Sequence, residues 1–395
     1  MATNHLLKIK EYGQSIWMDN LSRDIIQSGE LRDLVENQGI AGITSNPAIF
    51  EKAIVGNVIY DADIEAGVRA GLPTYKIYES LIFADIRSAC DILRPVYESS
   101  NYLDGYVSIE VPPTIAHDTQ ATIAEARRYF QEIGRENLMI KIPGTEAGLP
   151  AVEQVISEGI NVNITLLFSV ESYVNTAWAY IRGLEKRLQE GKDISKIASV
   201  ASFFLSRIDN NIDAKIDAKL KKGVDDINLE AKLRAVQGKV AIANAKIAYQ
   251  EYKKIIESDA SGGQSQRWQA LAAKGAKVQR LLWASTSTKN PNYSDVMYVD
   301  ELIGKDTVNT LPPTTIKACA DHCNVGVGEA DGRHPIETDV DEAYKLIENL
   351  KDPDINIDLD TVMDELLAEG IDKFIQPFQS LMNSLEEKIK VLSPV

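Results

Sequence analysis

A lysine set into an otherwise apolar segment offers the sharpest chemistry in this chain. Lys141 lies in LMIKIP (138–143). Its neighbours Leu138, Met139, Ile140 and Ile142 strip water from the ammonium and favour the neutral amine, which can attack a carbonyl. The ordinary alternative is a lysine that snorkels or pairs with an acid at a strand end. Glu110, in VSIEVPP, also sits among apolar residues. It suits a general acid and base, or simply a buried ion pair with Lys141 from the neighbouring strand. Further polar residues close other short apolar runs: Asp19 in SIWMD, Thr44, Ser45 and Asn46 in GITSN, Asn163 and Thr165 in NVNITLLF, Ser202 and Arg207 in SFFLSRID, and Ser285, Ser287 and Lys289 in ASTSTKNP. Arg207 fits a bidentate phosphate contact, and equally a salt bridge to Asp209 or Asp213. Asn46 before Pro47 also reads as a helix N-cap, Asp19 as a turn or cap residue, and ASTSTKNP as a plain polar loop or a phosphate cradle.

These residues belong together only if the apolar runs form one sheet. The runs SIWMD (15–19), GITSN (42–46), YVSIEV (106–111), LMIKIP (138–143), NVNITLLF (161–168), IASVASFFL (197–205), VQRLLWAS (278–285) and TVNTLP (307–312) read as eight strands, with helical patterns between them. Regular alternation with doubly buried strands predicts a parallel sheet, and eight repeats favour a closed (β/α)8 barrel, whose active site lies at the C-terminal ends of the strands. That is where the polar residues fall. Residues 209–256 predict an extended helical pair inserted between strands six and seven, and beyond about residue 335 the pattern predicts amphipathic helices packed onto a single barrel domain.

Composition limits the partners. The chain has 395 residues and a net charge of −16, so its field repels nucleic-acid backbones and anionic lipid, and an anionic substrate needs a local cationic pocket. No long apolar segment suggests an exported or membrane-spanning chain, which predicts a cytoplasmic protein with neither nucleic-acid nor membrane partners. The three cysteines, Cys90, Cys319 and Cys323, are expected to be reduced thiols. CADHC (319–323) lacks a second ligand pair for a metal, and DINIDLDTVMDE (354–365) has Leu359 where a calcium loop needs glycine, so Asp360 or Thr361 is expected to cap a helix and no metal site is expected. Monomer and homodimer both fit the sequence.

The strings GITSNPAIFEKAI, VSIEVPP, LMIKIPGTEAGLPAV, GINVNITLLFSV, SFFLSRID and LLWASTSTKNP resemble those of transaldolases over nearly the whole chain, and DLDTVMDELLAEGIDKF is similar to the C-terminal extension of the longer bacterial type. The resemblance implies a TIM barrel of the class I aldolase type. It implies transfer of a dihydroxyacetone unit from sedoheptulose 7-phosphate or fructose 6-phosphate to glyceraldehyde 3-phosphate or erythrose 4-phosphate, in the non-oxidative pentose phosphate pathway. Lys141 then matches the Schiff-base lysine, and Asp19 the base for the C4 hydroxyl. Glu110 and Thr165 match the pair holding a proton-shuttling water. Asn46, Asn163 and Ser202 match ligands of the dihydroxyacetone hydroxyls, Phe204 an aromatic wall and Arg207 the phosphate clamp. The imine serves as electron sink, so no cofactor is implied. Shorter transaldolases carry a second phosphate-binding arginine after strand seven. Here Lys289 stands as its point-charge substitute, with Ser285 as a hydroxyl donor. A fructose 6-phosphate aldolase releasing free dihydroxyacetone, and a non-catalytic sugar-phosphate-binding barrel, are the competing expectations.

Overall fold

The computed structural model describes residues 4–223, 226–257, 264–326 and 334–392. Eight parallel strands close into a barrel in sequence order: β1 (Gln14–Asp19), β2 (Gly42–Thr44), β3 (Tyr106–Glu110), β4 (Leu138–Pro143), β5 (Asn161–Leu167), β6 (Ser199–Phe204), β7 (Arg280–Ala284) and β8 (Thr307–Leu311). Each expected strand is present, displaced by a residue or two at its ends. All eight are buried almost throughout because helices cover them outside and side chains fill them inside. Gly42 shows how tight the interior is: a Cβ there would lie 2.5 Å from the Trp17 ring.

Register brings the polar residues level. On β3 and β4, Glu110 pairs with Lys141, Lys141 pairs with Asn163 on β5, and Asp19 pairs with Thr44 across β1 and β2. Between β5 and β6 the register shifts from Ile164 to Leu167, and Leu166 adopts φ 60°. That bulge turns the end of β5 at the site's edge.

The inserted helices differ in detail from the expectation. The stretch LEAKLRAVQGKVAIANAKIAYQEYKKII is divided into Ile227–Val236 and Val240–Ile256, with Gly238 between them at φ 68°. Asp209, on the preceding helix Ser206–Lys221, accepts the Ala241 amide at 2.9 Å and the Tyr298 hydroxyl at 2.7 Å, and so caps the second of these helices from outside.

The C-terminal helix Leu359–Leu392 runs 34 residues. Asp358, rather than Asp360 or Thr361, begins it: its carbonyl accepts the Val362 amide and its carboxylate the Thr361 hydroxyl, at 2.6 Å. Val362, Met363, Leu366, Ile371, Phe374, Leu381 and Leu385 are buried at helical spacing. This face packs on helices Pro47–Ile54, Thr74–Ser99 and Ser206–Lys221 and on β5. Lys215 pairs with Glu365 at 2.8 Å and Lys388 with Asp61, fixing the helix at both ends.

The cysteine expectation is corrected in part. Cys319 and Cys323 form a disulfide with Cα atoms 4.5 Å apart, because the helix Pro313–His322 ends between them and turns the second thiol back on the first. Cys90 is a buried free thiol.

Candidate active site

Lys141 is 5% exposed. Its ammonium donates to the Ser45 carbonyl at 3.0 Å and stands 3.4 Å from the Glu110 carboxylate. The ion-pair and the reactive-lysine readings therefore describe one arrangement: an acid and an amine held side by side out of water. Burial pushes the Glu110 carboxyl up to about 7 against the pull of Lys141. Apart from the Lys141 ammonium, the Glu110 carboxyl has no hydrogen-bond partner among the described residues.

The cavity above Lys141 is lined by Asp19, Thr44, Asn46, Lys141, Thr165, Ser202, Phe204, Arg207, Ala284, Ser285, Thr310 and Phe374. Asp19 accepts the Thr44 hydroxyl at 2.7 Å, and Thr44 meets Thr310 at 2.7 Å. Burial raises the Asp19 carboxyl above its usual range, while Lys141, the Thr44 bond and Arg207 draw it back down. The buried Thr165 hydroxyl has no partner among the described residues.

Asn163 lies one layer deeper. Its amide donates to the Ser108 hydroxyl at 3.1 Å and its carbonyl accepts from Ser202 at 2.7 Å, so it orients Ser202 and does not line the cavity. Asn46 does line it while also capping helix Pro47–Ile54, with its side-chain oxygen on the Ile49 amide at 3.1 Å. The capping reading holds, and the same residue stands at the cavity wall.

Arg207 is free of the salt bridges that the sequence allowed. Asp209 takes Tyr298 and Ala241, and Asp213 takes Tyr293 at 2.7 Å and the Gly238 amide at 3.0 Å. The guanidinium lies 5.0 Å over the Phe204 ring, and its buried Nη1 has no hydrogen-bond partner among the described residues. Burial pulls it below its ordinary value, opposed by Glu110, Glu369 and Asp19. A half-buried guanidinium with a donor left without an acceptor is suited to an anionic group of a ligand. Ser285, at φ 55°, reaches the Ser206 hydroxyl at 2.9 Å. Lys289 is not brought to the cavity: it is exposed and donates to Ser287 at 2.6 Å, whereas Thr286 turns inward and donates to the Thr310 carbonyl at 2.9 Å.

A second, narrower cavity lies behind Glu110, lined by Asn46, Pro47, Phe50, Tyr78, Glu110, Val111, Pro112, Pro113, Tyr129 and Phe378. Sequence reasoning missed Thr310 and Phe374. Thr310 ends an apolar run as the other site residues do, so the strand-end rule reaches it. Phe374 carries no local signal, being one of many apolar residues on its helix. Its ring lies 5.5 Å from the Lys141 ammonium and 6.0 Å from the Arg207 guanidinium.

A family model described as transaldolase/fructose-6-phosphate aldolase matches residues 16–385. The chain is 84% identical over the whole length of both proteins to "Transaldolase 2" of Nostoc sp. strain PCC 7120. It is 71% identical, again over both whole chains, to "Transaldolase" of Trichodesmium erythraeum, and 43% identical over 99% of each chain to "Transaldolase 2" of Streptomyces coelicolor. A closed barrel with a buried lysine and carboxylate at its C-terminal mouth, matched over nearly its full length, belongs to the transaldolase/fructose-6-phosphate aldolase family.

Proposed function

We propose that this chain is a transaldolase working through an imine on Lys141. The observation that carries the reading is the pairing of Glu110, at 3.4 Å, with the buried Lys141 of a cavity that also holds Asp19 and Arg207. The relatives of high identity carry the name transaldolase, which favours transfer over release of free dihydroxyacetone.

In this reading the Lys141 amine attacks the C2 carbonyl of sedoheptulose 7-phosphate or fructose 6-phosphate. Glu110 donates the proton with which the carbinolamine oxygen departs as water, and Thr165 holds that water by its unpartnered hydroxyl. Asp19 takes the proton of the C4 hydroxyl as the C3–C4 bond breaks, and the electron pair is held by the imine. The aldose phosphate leaves, glyceraldehyde 3-phosphate or erythrose 4-phosphate enters, and the steps run in reverse. Ser202, oriented by Asn163, and Asn46 hold the hydroxyls of the three-carbon unit. Arg207 binds the phosphate, with Ser285 at the rim. Among the described residues no helix is long and apolar enough to cross a membrane, and charged sugar phosphates are kept inside by membranes, so we place the activity in the cytoplasm.

Borohydride treatment with fructose 6-phosphate, followed by peptide mass spectrometry, tests the assignment. One reduced three-carbon adduct is expected on the peptide containing Lys141. Lys141→Arg, which keeps the charge but offers no nucleophile, should fold and lose both adduct and transfer. An adduct on another lysine, or transfer surviving in the variant, overturns it.

A further inference from the structure

The C-terminal helix reaches the reacting centre at two points one turn apart. Phe374 faces the cavity that holds Lys141, Asp19 and Arg207, and Phe378 faces the narrower one that holds Glu110, Tyr78 and Tyr129. The two rings thus stand over the two sides of a single acid–amine pair. Phe374 is 4% exposed and lies 5.5 Å from the Lys141 ammonium, within the range at which a ring face attracts a cation. The helix comes this close because residue 370 is glycine, where a Cβ would fall 2.9 Å from Leu166 and 3.4 Å from Arg207. Phe378 is held instead against Tyr78, with ring centroids 5.6 Å apart.

The chemistry needs one held water, at Glu110 and Thr165, and no bulk water at the imine. Imine formation releases a water and hydrolysis consumes one, next to Glu110. Between donor and acceptor, the three-carbon unit waits on Lys141 with an electron pair at C3. Two fates compete. C3 can bond to the aldehyde carbon of the acceptor, whose oxygen takes the proton held by Asp19. Alternatively C3 takes the proton held by Asp19, relayed through a water, and a second water then hydrolyses the resulting imine, returning the Lys141 amine and releasing dihydroxyacetone.

We propose that Phe374 is a specificity-determining residue that selects transfer over hydrolysis by covering Lys141 with an apolar ring, which keeps bulk water from the imine and leaves only the single water held by Glu110 and Thr165. The inference rests on the imine chemistry above. It goes beyond that chemistry by giving the C-terminal helix a part in choosing the product.

The test measures free dihydroxyacetone against transferred dihydroxyacetone, with fructose 6-phosphate as donor and erythrose 4-phosphate as acceptor, on the full-length chain. Opening the ring's place to solvent in Phe374→Ala should raise that ratio roughly tenfold, and Phe374→Leu should raise it less. Leu385→Ala loosens the same helix at a buried position away from both cavities, and should leave the ratio unchanged. The proposal is overturned if both Phe374 variants keep the wild-type ratio, even with a raised KM for the acceptor, or if Leu385→Ala raises it equally. Should Phe374→Ala not fold, the leucine variant decides alone. Failure of wild-type protein to form a borohydride adduct on Lys141 would instead refute the imine reading.

Discussion

Glu110 shows how position alone tunes an ordinary side chain. Enclosed by apolar residues and the barrel wall, its carboxylate loses hydration, and the nearby Lys141 recovers only part of that loss, so the proton is held up to about 7. The sign of the linkage follows. A carboxyl whose proton affinity rises on folding keeps its proton in the native state where the unfolded chain has released it. Its contribution to stability is full below about 4.5 and disappears as pH climbs through about 7. Glutamine mimics the protonated form without titrating. Urea denaturation of wild type and Glu110→Gln should therefore give similar stabilities at about pH 4, with wild type losing on the order of 3 kcal/mol relative to the variant by about pH 8. Parallel stability curves would show that Lys141 cancels the cost of burying the charge.

The C-terminal helix is the element that completes the site. Its glycine at position 370 lies inside a helix, where glycine is unfavourable by about 1 kcal/mol relative to alanine, and it is tolerated because the helix must approach Leu166 and Arg207. In Gly370→Ala the new methyl meets the end of the Leu166 side chain, which can move aside. Stability should then change by no more than about 1 kcal/mol, with propensity offsetting the contact. Gly370→Ile cannot be accommodated so cheaply. It should push the helix outward at Arg207 and raise KM for fructose 6-phosphate at least about tenfold, with the thermal midpoint read in parallel. An unchanged KM in the isoleucine variant would mean that the helix does not set the position of Arg207.

At the scale of the molecule, chemistry and stability occupy opposite ends of the barrel. The far end is closed by Arg280, whose guanidinium donates to Ser15 at 2.8 Å, to Asp104 at 2.9 Å and to the Leu103 carbonyl at 2.6 Å. Asp104 also accepts from Ser15 at 2.7 Å and from the Trp17 indole at 3.0 Å. Both charges are buried and well satisfied, so removing one strands the other. Asp104→Ala should lower unfolding free energy by about 3–5 kcal/mol while leaving kcat of the folded fraction unchanged. A change in kcat at constant folded fraction would show coupling between the two ends.

The sequence by itself determined the barrel and which polar residues stand at its C-terminal mouth, for a physical reason: in a closed parallel barrel both faces of every strand are buried, so a polar residue within or ending an apolar run stands out, and the strand order sets it beside its neighbours. Lys141, Glu110, Asp19, Thr165, Ser202 and Arg207 were legible on that ground. Only the tertiary structure decided what depends on residues far apart in the chain. It set Asn163 beneath Ser202, gave Asp209 and Asp213 to Tyr298 and Tyr293 and so left Arg207 open, and turned Lys289 outward. It also brought Phe374 to Lys141. An amphipathic pattern says that a helix has a buried face. Which ring of that face meets a given lysine is set by where the helix docks on the barrel, and no local spacing encodes that.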